Sequence, residues 1–149
     1  MTMIFVNLPT ADLERSKAFY QALGCTINPL FTDENGACVV WDEKIYFMML
    51  TREFFATFTG KEVVDPATSA QAMISFAQES REAVDELIAK GVAAGGTELR
   101  EPQDYGFMYS RDLADPDGNE LGFLYMPAEA AEKGPEAYMA EQGDAAATS

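Results

Sequence analysis

The chain has 149 residues and a formal net charge of −15, from 25 acidic and 10 basic side chains. This length fits one ordinary domain, or one domain made of two small similar halves. The negative charge disfavours nucleic acids and anionic membranes as partners, because both would repel the protein at long range. Small molecules and other proteins remain as expected partners.

Histidine is absent from the sequence. Its absence removes the commonest general base, imidazole-based catalytic triads and most transition-metal sites, so any catalysis has to use other side chains. Cys25 and Cys38 are the only cysteines and lack CxxC spacing, and no signal peptide is recognised. We therefore expect reduced thiols in a cytoplasmic protein. No apolar run approaches the roughly 20 residues that span a bilayer.

Residues 1–51 predict the order β-α-β-β-β. Residues 3–8 form an apolar run ended by Pro9, which is typical of a strand. Asp12 caps a predicted helix over residues 13–23, and Gly24 follows it as a stop signal. One face of this helix is expected to pack on a sheet, and it consists of Leu13, Ser16, Phe19, Tyr20 and Leu23. Turn-forming segments separate three further predicted strands, at residues 26–32, 37–41 and 45–50.

Residues 52–70 break that order. Phe54, Phe55 and Phe58 lie at helical spacing in a short amphipathic piece, and a linker-like stretch follows at residues 66–69. We interpret the three phenylalanines as core or interface packing. The alternative is a lid over the mouth of a pocket.

Residues 71–127 repeat the order of the first half. A strand at residues 72–77 precedes a helix near residues 81–90, and three strands follow at residues 97–101, 107–114 and 119–126. The offset between the two helix caps, Asp12 and Ser80, carries Phe5 onto Met73, which indicates an internal repeat. The remaining residues, 128–149, form an acidic, Ala/Glu-rich tail that is expected to be a peripheral helix around residues 136–142 or to fray.

A tight turn precedes the last predicted strand. Its sequence, Asp-Pro-Asp-Gly-Asn, occupies residues 115–119. Pro116 suits the second position of a type I turn, and Gly118 suits a position that needs a positive φ.

This turn and the segment Asp-Leu-Glu-Arg-Ser-x-x-Phe-Tyr-x-x-Leu-Gly at residues 12–24 resemble the vicinal oxygen chelate superfamily. That group includes glyoxalase I, extradiol dioxygenases, and fosfomycin- and bleomycin-resistance proteins. The resemblance covers roughly residues 1–127. It implies an α+β fold in which two tandem β-α-β-β-β modules form an eight-stranded, U-shaped mixed sheet around a cleft, and it implies a homodimer. Residues 1–127 would be one domain, with module one at 1–51, a linker at 52–70 and module two at 71–127.

Metal-dependent members of the superfamily place four ligands on the inner face of the sheet. Aligned on the helix starts and the final turn, these positions fall on Phe5, on Met73 or Ala72, on Met49 or Met48, and on Gly122. None of these side chains suits a hard or borderline divalent cation. The resemblance therefore implies a member without the metal ligands, and no metal or other cofactor is expected.

Strand alternation extends the predicted cleft beyond those positions. If Phe5 faces the cleft, Asn7 lies beside it, while Val6 and Leu8 face the helix. The resulting candidates for ligand binding are Phe5, Asn7, Phe47, Met49, Met73, Ser75, Tyr109, Arg111, Glu120 and Gly122. The alternative is that these side chains fill the sheet and leave no cavity.

Arg111 shares a strand face with Tyr109. An arginine on an otherwise apolar face pairs with an acid or binds an anionic ligand. Asp112 and Asp104 are possible partners, and pairing is the preferred interpretation in so acidic a chain.

The leading functional hypothesis is a metal-free glyoxalase/bleomycin-resistance-like protein that binds a small organic molecule in the cleft. One alternative is a lyase, isomerase or dioxygenase-type enzyme that uses acid/base groups other than histidine, with Glu120 as the weak catalytic candidate. Glu120 is otherwise a solvated or hydrogen-bonded residue at the strand start. A second alternative is a scaffold or regulatory protein with a filled cleft, acting through the surface around residues 54–58 or the acidic tail.

Overall fold

The structure is a computed structural model that describes residues 1–148, with side chains up to residue 143. Ser149, the last residue of the predicted tail, lies outside the described residues. The first half contains β1 (Ile4–Thr10), α1 (Leu13–Ala22), β2 (Thr26–Asn28), β3 (Gly36–Asp42) and β4 (Ile45–Thr51). These strands form sheet one in the order β1-β4-β3-β2, in which β1 is parallel to β4 and the other pairs are antiparallel.

Local signals explain where α1 begins and ends. Asp12 is the N-cap, and its carboxylate accepts a hydrogen bond from the Arg15 N–H at 3.1 Å. Gly24 follows the helix with φ of 103°, a conformation that favours glycine. The predicted packing face is confirmed, since Ser16, Phe19 and Tyr20 are the buried residues of α1.

The predicted strand at residues 26–32 is shorter in the structure. Pro29 ends β2 and begins a 3-10 turn, Pro29–Phe31. After β4, a one-turn helix α2 (Arg52–Ala56) begins the connection to the second half.

The second half forms sheet two. It contains β5 (Met73–Gln78), α3 (Arg81–Ala93), β6 (Thr97–Glu98), β7 (Gln103–Asp104), β8 (Tyr109–Ala114) and β9 (Glu120–Tyr125). The strand order is β5-β9-β8-β6, and β7 also pairs with β8. As in sheet one, the first strand is parallel to the last. The tail forms α4 (Ala128–Lys133) and α5 (Pro135–Thr148), so a helix does cover the predicted residues 136–142.

The α+β class is confirmed, whereas a single eight-stranded sheet is not what forms. Strand pairing within the described residues produces two sheets, in which β1 and β5 are edge strands without a common ladder. Linker residues such as Val63 and Pro66 line the same cavity as Leu8 of β1 and Ile74 of β5. Part of the linker therefore borders the space between the two edges.

One core joins the two sheets. Phe19 and Tyr20 of α1 are fully buried in it. Trp41 of β3 stacks on Phe76 of β5 with ring centroids 4.4 Å apart, so aromatic packing crosses from one half to the other. The side of each sheet opposite its helix is called its open face below. None of the helices within residues 1–148 combines the length and the apolar character needed to cross a membrane.

Candidate functional site

The open faces of β1 and β5 carry the residues that strand alternation predicts. Phe5 and Asn7 are exposed on β1, whereas Val6 and Leu8 pack against the core. On β5, Met73 and Ser75 are exposed, and their neighbours Ile74 and Phe76 pack inward. The structure thus brings four predicted site residues to open faces: Phe5, Asn7, Met73 and Ser75.

The prediction for β4 is wrong by one residue. Phe47 and Met49 are fully buried in the core and are not accessible to a ligand. Their neighbours take the open face, where Tyr46 pairs with Phe5 and Met48 pairs with Asn7. The rings of Phe5 and Tyr46 stack with centroids 4.6 Å apart and planes within 9°. Because β4 is apolar on both faces, its sequence contains no polar marker of register.

Tyr109 and Arg111 also lie on the core side rather than on the open face. The Tyr109 hydroxyl donates to Asp85 of α3 at 2.6 Å, and Arg111 donates to the same carboxylate at 2.8 Å. Arg111 also donates to Glu98 through Nε at 2.7 Å and Nη2 at 2.9 Å. Hydrogen bonds from Tyr109 and Arg111 lower the pKa of Asp85. Pairing with acids is therefore the role that the structure gives to Arg111.

The acids expected beside Arg111 have other partners. Asp112 accepts a hydrogen bond from Arg100 at 2.6 Å, and Asp104 pairs with Arg81 at 2.9 Å. Asp85 and Glu98 escaped the sequence analysis because they lie 26 and 13 residues away from Arg111. No local periodicity connects positions that distant.

The open face of sheet two forms a cavity of about 420 Å³, called the sheet-two cavity. Its lining includes Met73, Ser75, Asp112, Glu120 and Gly122. Asp112 was missed as a cleft residue, although it stands opposite Gly122 in the β8–β9 ladder. Pairing across the predicted hairpin, from Gly122 to the strand before the turn, would have identified Asp112 as a cleft residue.

Gly122 is closely covered by its neighbours. A Cβ atom at this position would lie 2.7 Å from Ser75 Oγ and 3.2 Å from Asp112 Oδ1. Neighbouring polar groups thus take up the space into which a larger residue would project.

The open face of sheet one forms a second cavity, of about 450 Å³, called the sheet-one cavity. Its lining is mainly apolar and consists of Asn7, Met48, Leu50, Phe54, Phe55, Phe58 and Thr59. Of these, only Asn7 was a predicted ligand-binding residue. The helical spacing of the three phenylalanines was the available signal for the others, through the alternative of a lid.

A third cavity, of about 390 Å³, lies between the two edge strands and is called the junction cavity. Asn7 lines both the junction cavity and the sheet-one cavity. Glu120 lines both the junction cavity and the sheet-two cavity. Thr59 is also common to the junction and sheet-one cavities, so the junction cavity shares polar side chains with each of its two neighbours.

The side chains at the expected metal positions do not fit a divalent cation. On the open faces these positions are Phe5, Met73, Met48 and Gly122, which provide no carboxylate, imidazole or thiolate. Among the residues whose side chains the structure describes, up to residue 143, no three His, Cys, Asp or Glu residues come together as a possible metal site. These positions therefore offer a metal ion no ligand set.

The turn at residues 115–119 positions β9 and thus Glu120. Asp115 Oδ1 accepts backbone hydrogen bonds from Asp117, Gly118 and Asn119 at 2.9–3.0 Å. Gly118 has φ of 106°, as its place in the turn predicts. Burial raises the pKa of Asp115 above its usual value, while the hydrogen bonds oppose this effect.

Comparison with known proteins identifies the class to which this fold belongs. Residues 2–41 match the family model described as bleomycin resistance protein-like N-terminal. A structure described as a glyoxalase/bleomycin resistance protein/dioxygenase family enzyme from Burkholderia phytofirmans shares 22% identity and the fold, with a TM-score of 0.71 over 85% of this chain and 100% of that one. No curated protein sequence matches significantly.

Two further structures are more similar in sequence. A hypothetical protein from S. aureus is 26% identical, with a TM-score of 0.72 over 84% of this chain and 94% of that one. A glyoxalase/bleomycin resistance protein from Albidiferax ferrireducens is 30% identical, with a TM-score of 0.61 over 83% of this chain and 97% of that one. The chain belongs to the glyoxalase/bleomycin resistance protein family of the vicinal oxygen chelate superfamily.

Proposed function

We propose that this protein is a metal-free member of its family that binds a small organic molecule on the open faces of its sheets. The observation that carries the proposal is the row of three neighbouring cavities, in which Asn7 lines the first two and Glu120 the last two. Small-molecule sites typically combine a mainly apolar lining with a few polar groups, as the sheet-one cavity does. Met48 and Met73 add flexible, polarisable surface that adapts to a ligand.

The proposed binding unit is a homodimer. Phe5 and Met73 leave 51% and 71% of their surfaces exposed, and they lie on the edge strands β1 and β5. Exposed apolar edge strands favour association with another chain. In the dimer, sheet one of each protomer would face sheet two of its partner, which completes the cleft and closes the assembly with twofold symmetry. We place the protein in the cytoplasm, a location supported by two free cysteines.

Thermal-shift screening of a metabolite and drug library tests the proposed function. A ligand present at about 100 times its Kd stabilises the folded state by about 2.7 kcal/mol, which raises Tm by roughly 5–10 °C. Met48→Glu should abolish that rise by placing a charge in the sheet-one cavity. Leu30→Glu, at an exposed apolar position outside the three cavities, is the matched control. Failure of every compound to stabilise the protein would contradict the proposal.

Metals and oligomeric state are tested separately. Nickel or zinc should leave Tm unchanged, and a marked rise with either would overturn the metal-free assignment. Light scattering during size-exclusion chromatography should give the mass of a dimer, and Met73→Glu should give the monomer. A wild-type monomer at concentrations where ligand binds would overturn the homodimer.

Glu120 supports a second candidate, an enzyme that uses this carboxylate as an acid or base. Its side chain lines two of the three cavities and is half-buried at the start of β9. Turnover of an identified ligand should then fall in Glu120→Gln and stay unchanged in Glu43→Gln, which makes the same charge change in an exposed turn. An equal rate in both variants would reject catalysis by Glu120.

A further inference from the structure

An aromatic wall stands beside the open face of sheet one. It consists of Phe54, Phe55 and Phe58, which all line the sheet-one cavity. The rings of Phe54 and Phe58 meet edge to face, with centroids 5.0 Å apart and planes at 82°. Phe58 remains 69% exposed, so most of its ring is available to another molecule.

This wall is held in place before any ligand arrives. The Thr51 hydroxyl accepts a hydrogen bond from the Phe54 N–H at 3.3 Å and caps α2. Arg52 donates to the carbonyls of Val63 at 2.8 Å and Val64 at 3.0 Å, which ties α2 to the middle of the following loop. A preorganised wall spares a ligand the entropic cost of ordering it.

The rest of the sheet-one cavity complements the wall. Met48 and Leu50 form an apolar floor on β4, and Asn7 lies on the adjacent strand β1. The Asn7 side chain is exposed, so its carboxamide can donate and accept hydrogen bonds at one end of the cavity. The net charge of −15 opposes the approach of an anion to this site.

We propose that the sheet-one cavity binds a planar aromatic group that carries an uncharged hydrogen-bonding substituent, such as a carboxamide or a phenol. The ring packs between the phenylalanine wall and the Met48–Leu50 floor, and the substituent bonds to Asn7. This inference rests on the proposed function and names the class of its ligand. Aromatic pairs contribute about 0.5–1.5 kcal/mol beyond the free energy from the area that they bury. Flat aromatic rings should therefore bind more tightly than saturated rings of the same size.

Four related probes test this ligand class: 2-naphthamide, its decahydro analogue, 2-naphthoate and unsubstituted naphthalene. Titrations followed by ligand-observed NMR should show saturable binding of 2-naphthamide. The saturated amide and the carboxylate should bind several-fold more weakly. Phe58→Ala should weaken 2-naphthamide by about 2- to 10-fold. Asn7→Leu should abolish the advantage of 2-naphthamide over unsubstituted naphthalene.

Phe31→Ala is the matched control, because Phe31 is 68% exposed and lies outside the cavity. It should leave the affinity for 2-naphthamide unchanged. A second wall variant, Phe54→Leu, keeps the apolar volume and removes the ring, so it should weaken the aromatic amide more than the saturated one. Urea unfolding of each variant checks that the fold is intact.

Equal affinity for aromatic and saturated amides, or no effect of either wall variant, would overturn the inference. If other compounds still bind and stabilise the protein in that case, the proposed function stands without this ligand class. If no probe and no library compound binds, both the proposed function and this inference fail.

Discussion

The Tyr20 hydroxyl donates a hydrogen bond to Asp115 Oδ2 at 2.8 Å, and both groups are buried. The bond joins α1, near the start of the chain, to the turn before the last strand. The two segments that carry the family resemblance are therefore in direct contact. A second carboxylate of the turn, Asp117, strengthens the same connection, since it receives hydrogen bonds from the start of α1.

The first prediction concerns Asp117. Its carboxylate accepts hydrogen bonds from Thr10 Oγ1 at 2.6 Å, the Ala11 N–H at 2.8 Å, Arg15 Nη2 at 2.9 Å and Ser16 Oγ at 3.2 Å. Asp117→Asn removes the carboxylate charge that strengthens these buried bonds and replaces one acceptor oxygen by a donor group. We expect the free energy of unfolding to fall by about 2–3 kcal/mol in urea titrations.

Glu34→Gln controls for the change in charge, because Glu34 is an exposed loop residue. It should alter stability by less than about 0.5 kcal/mol. Equal stability of the two variants would show that the Asp117 contacts do not hold the two halves together.

The second prediction concerns stability at alkaline pH. Burial raises the pKa of Tyr20 well above its usual value, and the nearby Asp115 carboxylate adds to this effect. Burial also raises the pKa of the Cys25 thiol to about 12. Unfolded Cys and Tyr titrate near about 8.5 and about 10, so the unfolded chain loses these protons before the folded chain does. The free energy of unfolding should therefore be fully retained below about pH 8.5 and should fall as pH rises toward about 12.

Tyr20→Phe separates the contribution of the hydroxyl from that of the thiol. The variant should be less stable by about 1.5–3 kcal/mol near neutral pH, because Asp115 loses a hydrogen bond to a charged acceptor. Its stability should then decline less steeply than that of the wild type above about pH 10, since one titrating group is gone. If urea titrations over this pH range show the same decline in unfolding free energy for Tyr20→Phe and the wild type, the Tyr20 hydroxyl does not cause it.

The third prediction concerns the reactivity of the thiols. Cys25 and Cys38 are buried, and burial raises the pKa of both. With a pKa of about 12, Cys25 is thiolate only to roughly one part in 10⁵ near neutral pH, so it is a poor nucleophile. Ellman's reagent should find no fast-reacting thiol in the folded protein and two in urea. Rapid reaction of either thiol with Ellman's reagent in the folded protein would contradict this burial.

The fourth prediction concerns Gly122. Because an added Cβ would lie 2.7 Å from Ser75 Oγ, Gly122→Ala should destabilise the protein by about 1–3 kcal/mol. The Ser75→Ala background removes that hydroxyl, so the same substitution should cost less there. Urea titrations of the wild type, the two single variants and the double variant complete a double-mutant cycle. An equal loss of unfolding free energy in both backgrounds would show that strain against Ser75 is not the cause.

The faces that the β1 side chains take could be predicted because they depend on the local sequence. Alternation, together with the predicted helix that follows, correctly placed Phe5 and Asn7 on one face and Val6 and Leu8 on the other. The prediction failed on β4, where alignment to the family left a choice between Met48 and Met49. A period of two means that a shift of one residue exchanges the faces completely.

The sequence by itself determined the α+β class, the order of the main helices and strands, the two signature segments and the lack of suitable metal ligands. These features depend on caps, turns, periodicity and residue chemistry, which act over a few residues. The tertiary structure decided which side chains meet, as Arg111 does with Asp85 and Glu98 and Asp117 does with the start of α1. It also decided which side chains line one cavity, as Asn7 and Glu120 do. Such pairs depend on how the two sheets pack against one core, and no local pattern encodes that packing.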